Sequence, residues 1–135
     1  VVFDAKKWEV DGKTVLEVVV PKHEQEPCFA KSKEGRWLAF IRKKDQNLMA
    51  NGILIKVWKM KGLEKGVFIK YTEKEKLLLS FLEKNRSITI SKFCRLAKIS
   101  KQTAEKILID MILLDMVEME ITELGTSYKL KNQDN

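Results

Sequence analysis

The sequence predicts an α+β chain in two parts, a small partial β-sheet with one helix followed by a helical segment that closes on a β-hairpin. Three observations carry this. Residues 91–114, SKFCRLAKISKQTAEKILIDMILL, hold two apolar stripes at helical spacing on either side of a short polar joint. Residues 13–20, KTVLEVVV, form a β-branched run bounded by Asp11-Gly12 and Pro21. Between them GLEKG, residues 62–66, interrupts the apolar pattern and sets domains at residues 1–66 and 67–135.

In the first part, residues 13–20 read as a buried strand entered through a turn, with residues 8–10 as its hairpin partner. Residues 21–27 are a polar loop, and residues 29–31 and 37–42 read as two strands around a turn at residues 32–35. A small sheet follows. Across residues 48–60, Met49, Ile53, Val57 and Met60, with Leu54 and Trp58 beside them, keep helical spacing, and Gly62 supplies a stop. Gly52 inside that helix costs about 1 kcal/mol relative to alanine. Trp8, Trp37 and Trp58 read as core anchors at strand and helix positions rather than as platforms for bases.

In the second part, T-E-K-E from Thr72 is a capping box opening a helix with Leu77, Leu78, Phe81 and Leu82 on one face, ending near Asn85. A short β-branched stretch at residues 87–90 precedes the helix pair. Ser91 is placed to cap the first helix of the pair and Ser100 the second. Phe93, Leu96, Ala97 and Ile99 would then face Ala104, Ile107, Leu108 and Met111, with Cys94 and Ala104 small where the helices approach. Residues 117–121 and 127–130 make a hairpin around a turn at residues 122–125, and the polar tail from residue 131 is expected to fray. Helix, short strand, helix, turn, helix, hairpin is the order of a winged helix-turn-helix domain.

The formal net charge is +7, and its distribution says more than its size. Lys92, Arg95, Lys98, Lys101 and Lys106 surround the helix joint against Glu105 alone, whereas Asp110, Asp115, Glu118, Glu120 and Glu123 follow without an intervening base. Such polarity would draw phosphate to one face and repel it from the back. The other reading of the same residues is a solvated helix face. Lys98 stands where such turns usually carry glycine, so either it is strained by about 1 kcal/mol or the turn is longer. Residues 107–114 are apolar nearly all round, and Ile109, Ile112 and Leu113 need a second cover, either the other half of the chain or a twin.

Several function classes find no residues here. His23, the only histidine, lies in a polar loop, no serine or cysteine has a nucleophile's setting, and no glycine-rich phosphate loop or metal-spaced cluster occurs. The chain is therefore expected not to be an enzyme and to use no cofactor or metal. Cys28 and Cys94 are the two cysteines, read as small packing residues rather than a disulfide. No apolar run approaches the roughly 20 residues that span a bilayer, and the first residues lack the order of a signal peptide. A cytoplasmic location is expected.

The order of elements resembles that of bacterial winged helix-turn-helix regulators, with ITELGTSYKL in the place of their wing. In the first part, VLEVVVPKHEQEPCFAKSKEGRWLAFIRKKDQN is similar to the second half of the Schlafen AlbA-like domain, a DNA-binding module that precedes winged helices in bacterial regulators. The matching pieces are the strand ending at Pro21, Pro27 before a strand, and the aromatic strand end at Arg42, over roughly residues 13–60. The resemblance implies that Arg42, Lys43 and Lys44 face phosphate, with a solvated turn as the other reading.

These readings converge on a transcription regulator that docks duplex DNA, acting as a homodimer. Gln102 and Thr103 would lie nearest base edges, behind the Ser100 cap, with Lys92, Arg95, Lys101 and Lys106 on backbone phosphates. The alternatives are a protein-interaction or dimerisation module whose winged helix does not bind DNA, and a regulatory fragment of a larger nucleic-acid enzyme.

Overall fold

The computed structural model describes residues 3–21, 27–61, 66, 68 and 70–131. His23 and most of the GLEKG segment lie outside these residues, as does the tail beyond Lys131. The elements run β1 (Asp4–Val10), β2 (Lys13–Val19), β3 (Ala30–Lys31), β4 (Trp37–Leu38), β5 (Phe40–Lys43), β6 (Gln46–Met49) and α1 (Gly52–Lys61). Then follow α2 (Glu73–Lys84), α3 (Ile90–Ala97), α4 (Lys101–Leu113), β7 (Val117–Thr122) and β8 (Gly125–Leu130). Each strand pairs antiparallel with its sequence neighbour, so the described residues form four two-stranded ribbons rather than one small sheet.

The second half has the predicted winged-helix-like order, and local signals fix its boundaries. The Thr72 hydroxyl accepts from the Lys74 amide, while the Glu75 carboxylate accepts from the Thr72 amide, closing the capping box of α2. Burial works to raise the Glu75 carboxyl, but bonds from the Thr72 hydroxyl and nearby amides outweigh it and hold the group below its ordinary value. Helix α3 begins two residues earlier than expected, and its cap is Thr89 rather than Ser91, with the Thr89 hydroxyl accepting from the Lys92 amide at 3.3 Å. Both residues carry a hydroxyl, and Ile90 in the first turn decides between them by filling the space against the core. Ile88 pairs with Tyr128 by two backbone bonds of 2.8 and 2.9 Å, which adds a third edge to the β7–β8 wing.

One apolar core runs through this half and beyond it. Leu78, Leu82, Ile88, Phe93, Ala104, Leu108, Met111, Val117 and Tyr128 are buried together, and Ile53 and Val57 of α1 join them from across residues 62–66. Leu96, expected on the inner stripe of α3, is exposed instead, and the inner face of α3 is Phe93 flanked by half-buried Cys94 and Ala97. The second cover for α4 comes from this same chain. Helix α1 packs along α4, Ile109 is buried there, and Ile112 and Leu113 are half-buried.

The first half departs further from expectation. The predicted helix over residues 48–60 starts only at Gly52; Leu48 and Met49 belong to β6, paired with Ile41 and Phe40. Asn51 is the stop between strand and helix. Its side-chain oxygen accepts from the Leu54 amide at 2.9 Å, and its amide group donates to the Thr126 hydroxyl at 3.1 Å, which ties the start of α1 to β8. Gly52 therefore sits in the first turn, where its cost is small. Residues 13–19 do form a strand paired with β1, but it is exposed along its whole length, as is β1. Trp8 and Trp37 are likewise exposed and anchor no core, whereas Trp58 is half-buried. Cys28 is exposed and Cys94 half-buried, and both are free thiols.

Tyr128 connects burial to pH. The residue is 2% exposed, and burial, reinforced by the nearby Glu105 charge, pushes its phenol up to about 12 despite a bond from Asn51. In the unfolded chain the phenol ionises near 10, so above that pH the unfolded state has shed a proton that the folded state retains. Stability should fall as pH rises from 10 to 12, by about 2 to 3 kcal/mol from this group. Urea melts at either end of that window should show a smaller loss for Tyr128→Phe than for the parent chain.

Candidate functional site

The helix joint is built by a left-handed residue and a hydroxyl cap. Lys98 has φ 52 and ψ 48, so the turn is as short as a glycine-type turn and the lysine carries its strain. Lys98→Gly should raise the unfolding free energy by about 0.5 to 1 kcal/mol in a denaturant melt, since relief of strain exceeds the added freedom of the unfolded chain. After the turn the Ser100 hydroxyl accepts from the Thr103 amide at 3.2 Å and lies 2.9 Å from the Thr103 hydroxyl. Ser100 and half-buried Thr103 thus serve the cap of α4, which removes much of their capacity for an outside partner.

The other predicted residues divide into three places. Arg95 and Lys101 share a shallow depression with Ile90, Ser91 and Cys94 between α3 and the start of α4. Lys92 turns toward α2, its ammonium 4.9 Å from the centre of the Phe81 ring. Gln102, Thr103 and Lys106 line a groove of about 630 Å³ whose opposite wall is α1, through Lys56 and Met60. The Lys56 ammonium lies 3.5 Å from Glu105, which holds α1 beside the second turn of α4. Asp110, at the far end of the groove, has its carboxyl raised above the ordinary value by burial and by Glu75, against the opposing pull of Lys106.

Arg42, Lys43 and Lys44 sit apart from the joint, at the β5–β6 turn. Arg42 bonds Asn47 at 3.0 Å and lies 3.9 Å from Asp45, and Lys44 occupies the turn itself at φ 54. The Lys43 ammonium donates to the Ile121 carbonyl at 3.2 Å and lies 3.9 Å from Glu120, while Gln46 donates to Glu123 at 2.6 Å. This hairpin braces the wing, and Lys43 is committed to that contact. The acidic wing residues, which sequence patterning marked as unsuited to phosphate, are what hold it. No group of three or more metal-ligating side chains occurs among the described residues, and no described helix is long and apolar enough to cross a membrane.

The segment from α2 through β7 carries a family likeness. A PCI domain model matches residues 69–125. Nothing among the curated proteins or the solved structures matches the chain. The PCI domain is a winged-helix-like protein-interaction module, often found in regulatory complexes, and the match spans the capping box, the helix joint and the first wing strand. It overturns the likeness to the Schlafen AlbA-like domain and to bacterial winged helix-turn-helix regulators, since PCI is a different family and no Schlafen AlbA-like match occurs. The pieces behind that likeness, a proline ending a strand and an arginine at a strand end, are common strand-edge chemistry. With it go the grounds for reading residues 13–60 as a DNA-binding module.

Proposed function

We propose that this chain is a protein-docking module whose PCI-like half presents the α1–α4 groove to a protein partner. The observation that carries the reading is the position of α1. A helix with its side chains is about 10 to 12 Å across, and the major groove is about 12 Å wide, so one helix fills it. The half of α4 that would enter DNA already has α1 beside it, bridged by Lys56 and Glu105. What remains open is a furrow with apolar lining at Ile109 and, on the α1 wall, Met60, and with polar rims at Gln102, Lys106 and Asp110. An apolar lining with convergent polar groups suits a side chain or a short segment of protein. The PCI likeness supports the same class of partner.

The competing reading, duplex docking by the basic joint, rests on Arg95 and Lys101, which remain exposed and unpaired in charge among the described residues. One experiment separates the two. A photo-crosslinking residue at position 102, in the chain expressed in its native cells, should give a protein adduct that Met60→Glu on the opposite wall abolishes. In parallel, anisotropy titration with a mixed-sequence duplex should give no steeply salt-dependent binding. Salt-steep binding lost on neutralising Lys101 and Lys106, with nucleic acid in the adduct, would overturn the protein-docking reading in favour of DNA.

A further inference from the structure

The β1–β2 ribbon carries a second surface, and its sequence fits a second copy of this chain. Asp11 and Gly12 have φ 48 and 70, the two left-handed residues of a type I′ turn, so Val10 and Lys13 close a two-residue hairpin. The pair closing such a turn exchanges both hydrogen bonds, and the pattern alternates from there. Lys13, Val15 and Glu17 therefore spend their backbone groups on β1, and Thr14, Leu16 and Val18 aim theirs outward along the free edge of β2. Among the described residues no third strand lies on that edge. The edge is also lightly protected: between Lys13 and Pro21, which bracket it, its one charged residue is Glu17, whereas strands that stay unpaired carry lysines, prolines or bulges along their length.

We infer that β2 pairs antiparallel with β2 of a second copy, about a two-fold axis through Val15. Charge selects this register. With Val15 opposite its own copy, Lys13 faces Glu17 of the other chain and Glu17 faces its Lys13, because both lie two residues from the axis. The outward groups of Thr14 then meet those of Leu16, so the hydrogen-bond phase agrees with the charge pattern. Centring on Leu16 instead leaves Glu17 opposite Val15, and centring on Glu17 puts like charges face to face. Trp8 lies opposite Val15 within the ribbon, so the four-stranded sheet gains an unbroken apolar row from Trp8 through two valines to the second Trp8. The ladder, the apolar row and the two ion pairs together hold the sheet, and the ion pairs fix its register. This interface lies on a different element from the α1–α4 groove and stands or falls separately from it.

Sedimentation of the full chain over a concentration series tests the register directly. The parent chain should approach twice its monomer mass as concentration rises. Lys13→Glu alone places two glutamates opposite each other and Glu17→Lys alone two lysines, so each variant should sediment as a monomer. Their equimolar mixture restores both opposite-charge pairs and should sediment as a dimer, an outcome that a variant with a collapsed ribbon could not give. In a chain carrying Cys28→Ser, Val15→Cys should form an intermolecular disulfide on oxidation, since paired strands bring opposite Cα atoms within disulfide reach. Val18→Cys, which would face Gly12, should not. A parent chain that stays monomeric, a dimer indifferent to both charge reversals, or a mixture that remains monomeric would overturn the proposal.

Discussion

Val57→Asp is expected to lower the unfolding free energy of the whole chain by about 3 to 5 kcal/mol. Val57 is 2% exposed and belongs to the same buried cluster as Leu78, Phe93 and Leu108, although α1 precedes the residues where the sequence pattern breaks. An aspartate there has no described cation to pair with inside the core, so it either stays charged at a large desolvation cost or takes up a proton and still leaves a polar group buried. Folded domains are stable by only about 5 to 15 kcal/mol. A loss of this size should shift the melt of α2 to β8 and not only that of α1. In a chain carrying Trp8→Phe and Trp37→Phe, far-UV circular dichroism and Trp58 fluorescence should move together to lower denaturant. A variant in which the fluorescence change alone shifts would show that residues 67–135 fold without α1.

Local chemistry made much of the second half legible. The Thr72 capping box, the Ser100 cap and the wing turn closed by Thr122 and Gly125 all depend on residues within four positions of each other, and the structure has each of them. The first half fails where a local pattern admits two tertiary answers. Met49, Ile53 and Val57 are four residues apart, as in a helix, yet Met49 lies in a strand and Asn51 marks the true start. An asparagine before glycine and a following apolar run was the signal that could have placed it. The β-branched run of β2 announces a strand but says nothing of which surface covers it, and in this structure none of the described residues does.

The candidate site shows the same division. A basic joint could be read from composition, whereas the attraction of Lys92 to the Phe81 ring and the bracing of the wing by Lys43 need the packed chain. Helix α1 beside α4 was legible only as a demand: Ile109 required a cover, and nothing in the sequence said which helix would supply it. That single contact makes α4 one wall of a furrow, and it supports the proposed protein partner over duplex DNA.

Phe93→Ala should be the costliest truncation at the helix joint, about 3 to 5 kcal/mol. The Phe93 ring is wholly buried in the cluster that includes Ala104 and Leu108. Ala104 is also wholly buried, so α3 and α4 meet closely and the cavity left by the ring cannot collapse by drawing a small neighbour inward. Phe93→Leu keeps most of the apolar volume and should cost less than half as much. The pair gives a way to read the joint apart from the groove, since Phe93 does not line the furrow between α1 and α4. With Phe93→Leu folded at the assay temperature, crosslinking from position 102 should persist. Loss of crosslinking in that folded variant would mean that the partner contacts the α3–α4 joint itself, where Arg95 and Lys101 lie.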